Sequence, residues 1–246
     1  MRRALILLLP LLCGCYYFRS ASVPMPYVEH PATAGEADKL IVLLPGLGDG
    51  PEAYERHGFV QHIQATDPRA DVIAADAHLA YYPSKTIVQR LHEDVFAPRA
   101  DRYREVWLVG ISLGGLGCAA YAREHGEVVD RVLLLAPYLG TEDVYEQVLA
   151  AGGLQRWTPP DTADMSDEHR RYVWTWQWYR ERAQAAAEGP AIYLGYGLDD
   201  RFRVPNGMLA GSLPEERRFT QPGGHTWTVW RPLFERMLTH ALTDAR

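Results

Sequence analysis

Five short stretches of this chain are built almost wholly of apolar residues, with no polar residue at every second position: Lys39–Pro45, Asp71–Ala75, Val106–Ile111, Arg131–Ala136 and Ala191–Tyr196. A strand with one wet face alternates apolar and polar, whereas a strand covered on both faces reads as a continuous run. Between the runs lie stretches with helical spacing. Ser84–Arg99 sets Ile87, Val88, Leu91, Val95 and Phe96 on one face, with Ser84 as its expected N-cap, and Pro51–Asp67 carries Phe59 and Ile63 at helix-compatible positions. Trp227–Leu242 repeats the pattern with Trp230, Leu233, Phe234, Met237 and Leu238. Strand, helix, strand in repetition requires right-handed crossovers. The chain is therefore expected to be α/β, with a mainly parallel sheet of about six core strands, the last a short polar edge strand at Glu216–Gln221.

The alternation stops between Tyr138 and Gly189, where Thr141–Ala151 and Asp167–Ala187 read as helices separated by Trp157-Thr158-Pro159-Pro160. Residues 138–189 are predicted to be a helical lid insertion over the C-terminal edge of the sheet, dividing the core into 39–137 and 190–246. Its aromatic run, Tyr172–Tyr179, places Trp174 and Trp178 on a shared helix face. They are candidates to line an apolar or sugar-stacking acyl pocket, or else to anchor the insertion to the sheet.

At the N-terminus, Arg2 and Arg3 precede the apolar stretch Ala4–Leu12, which is too short to span a bilayer as a mature helix. This is the pattern of an export signal. Leu12-Cys13-Gly14-Cys15 resembles a bacterial lipobox, so residues 1–15 are expected to direct export, with Cys15 lipidated at the periplasmic face of a membrane, or else to be a plain signal peptide or uncleaved anchor of a periplasmic or secreted protein. Residues 16–38, with prolines at 24, 26 and 31, read as a tether. Cys118 is then the single thiol of the folded part, and no intramolecular disulfide is expected. The net charge of -6 is spread without a basic block, which argues against a nucleic-acid partner.

Chemistry concentrates at the ends of the predicted strands. Val106–Gly115 is an apolar run that breaks into Ser112, with Gly110 and Gly114 two positions to either side, as a very tight strand-to-helix turn requires. A serine hydroxyl needs a neighbouring base and a carboxylate to orient that base. Asp199 and Asp200 follow the run at Ala191–Tyr196, and Pro222-Gly223-Gly224-His225 follows the last strand. The glycine-rich stretch Leu44–Gly50 lacks the Gly-Lys-Ser or Gly-Lys-Thr of a phosphate cradle. No His-x-x-x-His or Cys-x-x-Cys spacing suggests a metal, so neither metal nor cofactor is expected. Asp76-Ala77-His78 reads as a loop cap and a histidine at the site edge.

With Gly-Ile-Ser-Leu-Gly at 110–114, Gly-Leu-Asp-Asp at 197–200, Gly-Gly-His at 223–225 and Leu44-Pro45-Gly46-Leu47-Gly48-Asp49, the chain resembles the α/β-hydrolase superfamily over about residues 39 to 244. The resemblance implies Ser112 as nucleophile and His225 as general base. The family's spacing after Gly197 favours Asp200 as the acid, with Asp199 as a helper or the acid itself. It also implies an oxyanion hole from the backbone N–H groups of Leu113 and Leu47, although Leu-Pro-Gly stands where some esterases have His-Gly. Members that act on haloalkanes or epoxides use an aspartate where Ser112 stands. The expected activity is hydrolysis of a small-molecule carboxylic ester through an acyl-enzyme. The same triad also serves thioesterases, amidases and acyltransferases, and a silent hydrolase fold could act as an envelope binding protein.

Overall fold

Each apolar run becomes a strand in the computed structural model, which describes residues 19–184 and 189–244. The strands are β1 (Tyr27–His30), β2 (Lys39–Leu44), β3 (Ala70–Ala75), β4 (Glu105–Ile111), β5 (Arg131–Leu135), β6 (Ala191–Gly197) and β7 (Arg218–Gln221). They form one seven-stranded sheet in the order β1-β3-β2-β4-β5-β6-β7. All neighbours pair in parallel except β1, which runs antiparallel to β3. The helices are α1 (Glu52–Arg56), α2 (Phe59–Thr66), α3 (Ile87–Arg90), α4 (Leu113–Glu124), α5 (Glu142–Ala150), α6 (Asp167–Gln184), α7 (Arg203–Ala210) and α8 (Trp227–Thr243).

Successive side chains of a strand point to opposite faces, and here both faces are covered. Leu40, Val42 and Leu44 of β2 pack on one side with Ile87 of α3, Cys118 of α4 and Trp176 of α6. Ile41 and Leu43 pack on the other with Tyr54 of α1, Phe59 of α2 and Phe234 of α8. The unbroken apolar runs are the sequence image of this double burial.

Two local expectations change. Residues 16–38 were expected to be a loose tether, but Tyr27–His30 form an edge strand in register with Val72–Ala75. Met25 is buried, and the Arg19 guanidinium pairs with both oxygens of the Asp76 carboxylate just past β3. Tyr27–His30 present alternating exposed and half-buried residues, so no apolar run announces the strand; its contribution is to satisfy the outer backbone groups of β3. The helix expected over Ser84–Arg99 is regular only at α3, widens into a π-helical stretch at Leu91–Phe96 and tightens into a 3-10 turn at Ala97–Arg99. Its buried face was legible, since Ile87, Leu91, Val95 and Phe96 are all in the core. Its start was not: Thr86 occupies the N-cap, and Ser84 bonds the Thr86 hydroxyl at 2.8 Å instead of a helix N–H. Pro98, lacking an N–H, cannot extend the helix further.

The predicted signal segment and Cys15 lie outside the described residues, as do Ala185–Ala187 at the end of the second predicted insertion helix. Among the described residues, no helix is long and apolar enough to cross a membrane. Cys118 is a buried free thiol whose pKa burial pushes well up.

The chain steps outward from β2 to β3, then crosses back past β2 to β4 and continues outward to β7. The reversal lies between β2 and β4. In open parallel sheets, the loops that leave the C-terminal edge at such a switch diverge and open a crevice. Here those loops carry Leu47 and Ser112.

Candidate active site

Ser112 sits between β4 and α4 with φ 53° and ψ -113°, a backbone conformation strained for any residue with a side chain. Its surroundings hold it there: its N–H donates to the Leu135 carbonyl at 2.9 Å, and its own carbonyl accepts the N–H of Tyr138 at 2.8 Å. The flanking glycines are needed for contact rather than for their own dihedral angles. A Cβ on Gly110 would come 2.6 Å from the Gly114 backbone, and one on Gly114 would come 2.0 Å from the Leu44 carbonyl oxygen. The first turn of α4 therefore lies directly on the loop that leaves β2.

The loop between β7 and α8 returns His225 over this edge. Its Nε2 is 3.0 Å from Ser112 Oγ, and its Nδ1 is 2.8 Å and 3.0 Å from the two carboxylate oxygens of Asp200. Trp230 and Phe202 meet the imidazole edge-to-face at 4.7 Å and 5.0 Å between centroids, fixing the ring plane. Asp200 is 0% exposed, and Oδ1 also accepts the Phe202 N–H at 2.8 Å. Asp199 accepts the N–H of Gly223 at 3.0 Å and donates its own N–H to the Gly223 carbonyl at 3.0 Å, tying the β6 loop to the histidine loop. Among the described residues neither carboxylate forms an ion pair with Arg201 or Arg203; Arg201 lies over the Phe202 ring at 4.9 Å.

Two buried tyrosines complete the frame. Tyr54 donates its hydroxyl to the Leu44 carbonyl at 2.5 Å, and Tyr82 donates to the Leu113 carbonyl at 3.0 Å. Sequence reading missed both, because a tyrosine in a core helix or turn carries no sign of which carbonyl it will reach. It also missed the partner of Asp49, whose carboxylate accepts from Trp227 Nε1 at 3.3 Å. Burial raises the Asp49 pKa, opposed by that hydrogen bond and by Arg56 and His57.

A cavity of about 870 Å³ opens at Ser112. Leu47, 45% exposed, and Leu113 both line it beside the serine. Trp174 lines it too, its ring 4.7 Å from Arg123 and 5.8 Å from Arg170. Trp178 does not. It is buried against Tyr179 at 5.0 Å, while Trp176 donates to the Leu139 carbonyl at 2.9 Å. The α6 residues that line the cavity run from Asp167 to Thr175, so Trp178, nearly on the Trp174 face, lies beyond it, about one helical turn further along the axis. Trp174 thus lines the cavity, and Trp178 anchors the helix. His78 also lies away from the cavity: it is buried, its Nδ1 accepts the Ala80 N–H at 3.4 Å, and burial followed by Arg19 lowers its pKa.

The profile of the Esterase family matches residues 55–241. No curated protein sequence gives a significant match. Several solved structures share the fold. The S-formylglutathione hydrolase FrmB of Staphylococcus aureus has 14% identity and a TM-score of 0.56, over 90% of this chain and 97% of that one. Mycobacterium tuberculosis MPT51 gives 16% and 0.60 over 90% and 94%. Est1E from Butyrivibrio proteoclasticus gives 17% and 0.55 over 89% and 96%. The seven-stranded, mainly parallel sheet and the family match over most of the chain agree: the protein belongs to the Esterase family and is a hydrolase of the α/β-hydrolase fold.

Proposed function

We propose that the protein hydrolyses small-molecule carboxylic esters through an acyl-enzyme on Ser112. The observation that carries this reading is the unbroken hydrogen-bonded chain from buried Asp200 through His225 to Ser112. His225 Nε2 takes the hydroxyl proton as Ser112 Oγ attacks the ester carbonyl carbon, and Asp200 holds the tautomer with the proton on Nδ1. The tetrahedral oxyanion is stabilised by the N–H groups of Leu113 and Leu47, each worth about 3 kcal/mol at such a site. Leu113 is the first residue of α4, where backbone donors have no partner within the helix. Collapse of the intermediate breaks the bond to the alcohol oxygen, which leaves with the proton from His225. A water, deprotonated by the same nitrogen, then attacks the acyl carbon and releases the acid.

The structural neighbour Est1E has been solved with ferulic acid bound, consistent with a small-molecule acyl substrate on this fold. The helices α5 and α6 serve in this reading as a lid over the crevice. The basic and apolar N-terminus with Cys15 supports, in this reading, a location at the cell envelope.

An active-site fluorophosphonate probe tests the nucleophile. It is expected to label the wild type and not Ser112→Ala; absence of wild-type labelling, together with no hydrolysis of p-nitrophenyl esters, overturns the reading.

A further inference from the structure

The cavity at Ser112 is a trench rather than a bowl. Leu113, Leu116, Ala120 and Arg123 line it at helical spacing along one stripe of α4. Ten residues of helix separate the first of these from the last, so the trench runs about 15 Å away from the nucleophile, the reach of an extended chain of about ten carbons. Ile87 and Val88 of α3 line it as well, so the middle section that they share with Leu116 and Ala120 is apolar, and α6 adds Tyr172, Trp174 and Thr175.

The far end changes character abruptly. Arg123 pairs with Glu124 at 2.8 Å and lies on the Trp174 ring, while Asp167 pairs with Lys85 and, at 3.2 Å, with Arg170. These groups satisfy one another, so they form a polar collar that offers a chain no further apolar burial.

Which part of an ester occupies the trench follows from the positions of the catalytic groups. The leaving oxygen must lie against His225 Nε2 to receive its proton, and the cavity residue that packs on the His225 ring is Phe202, at 5.0 Å, whereas the α4 stripe runs away from Ser112 toward Arg123. Leu47 and Leu113, whose N–H groups face the oxyanion, line the trench. The acyl carbon therefore enters here and the alcohol leaves on the histidine side.

We infer that the enzyme is selective for esters of medium-chain aliphatic acids, with the acyl chain lying along α4 between Leu116 and Val88 and ending at the Arg123–Trp174 collar. This rests on Ser112 being the nucleophile of an ester hydrolase. Each methylene that enters the apolar section gains roughly threefold in kcat/KM, and methylenes beyond the collar gain nothing.

The test is a series of p-nitrophenyl esters from acetate through butyrate and decanoate to palmitate, alongside a series of acetates with lengthening alcohols, on the wild-type protein. Decanoate is expected to exceed butyrate by at least about tenfold in kcat/KM, with no further gain at palmitate and no comparable dependence on alcohol length. Ala120→Trp, which fills the middle of the trench, is expected to lower the decanoate-to-acetate ratio by at least about tenfold. Val88→Trp does the same from α3 should the first variant fail to fold, as judged by thermal melting. A protein that reacts with fluorophosphonate and hydrolyses acetate but shows no acyl-length preference, or one governed by the alcohol, overturns the inference and leaves the hydrolase reading standing. A protein that neither reacts with the probe nor cleaves any ester overturns both.

Discussion

The Asp199 carboxylate holds the backbone N–H of Gly223 at 3.0 Å, so the residue beside the histidine's partner fastens the loop that carries the histidine. The two adjacent carboxylates thus have separable effects. Asp200→Asn is expected to lower kcat by about 10⁴-fold, because an amide can stabilise the wrong imidazole tautomer. Asp199→Asn keeps an acceptor for the Gly223 N–H and is expected to stay within about threefold of wild type, whereas Asp199→Ala leaves only the backbone bond from its own N–H to the Gly223 carbonyl and costs about tenfold, roughly one hydrogen bond's worth. Steady-state kinetics on a p-nitrophenyl ester separate the three; equal losses in both positions contradict the assignment.

Gly114 is expected to tolerate no side chain. A Cβ there would overlap the Leu44 carbonyl, which is backbone and cannot rotate away. Gly114→Ala should therefore lift α4 from the β2 loop and cost about 3 kcal/mol of stability. Urea unfolding of the variant measures this, and a loss under about 1 kcal/mol shows that the loop yields more easily than its packing implies.

Tyr54→Phe removes the hydroxyl that anchors the Leu44 carbonyl and leaves a buried acceptor unpaired. A stability loss of about 1–2 kcal/mol is expected. Because Leu44 begins the loop that ends in Leu47, kcat should fall with little change in KM, and an unchanged kcat separates the anchor from the site.

Glu105, at the start of β4, answers to acid. Burial works against its charge, but Lys39, the Trp107 indole N–H, Arg104 and Arg131 outweigh it and hold its pKa below the ordinary value of 4.5. A carboxylate depressed in the folded state stabilises fully above its unfolded pKa and loses that contribution as pH falls through the folded value. Glu105→Gln is therefore expected to be less stable than wild type by about 1 kcal/mol at pH 7, the two converging as pH falls below the ordinary value of 4.5 and through the folded one. Thermal melts across this range decide it; a difference that persists at low pH assigns the loss to packing.

The sheet was legible in the sequence because double burial writes itself as unbroken apolar runs, and the site candidates because each lies just past an expected strand, Ser112 and Asp200 after apolar runs and His225 after the polar edge strand. The choice between Asp199 and Asp200 depended on the family's spacing, and the structure brings Asp200 to the imidazole. What stayed hidden depends on long-range geometry. Tyr27–His30 become a strand only because β3 offers them an open edge. Trp174 and Trp178 separate because the cavity ends along α6 at Thr175, a limit that the helix repeat does not carry. Tyr54 and Tyr82 reach carbonyls that no local pattern names.

The ion pair between Arg19 and Asp76 also sets a direction. Asp76 follows β3 at the same edge of the parallel sheet from which Ser112 projects after β4. Arg19, the first described residue, is thus pinned to the rim that bears the crevice and not to the opposite end.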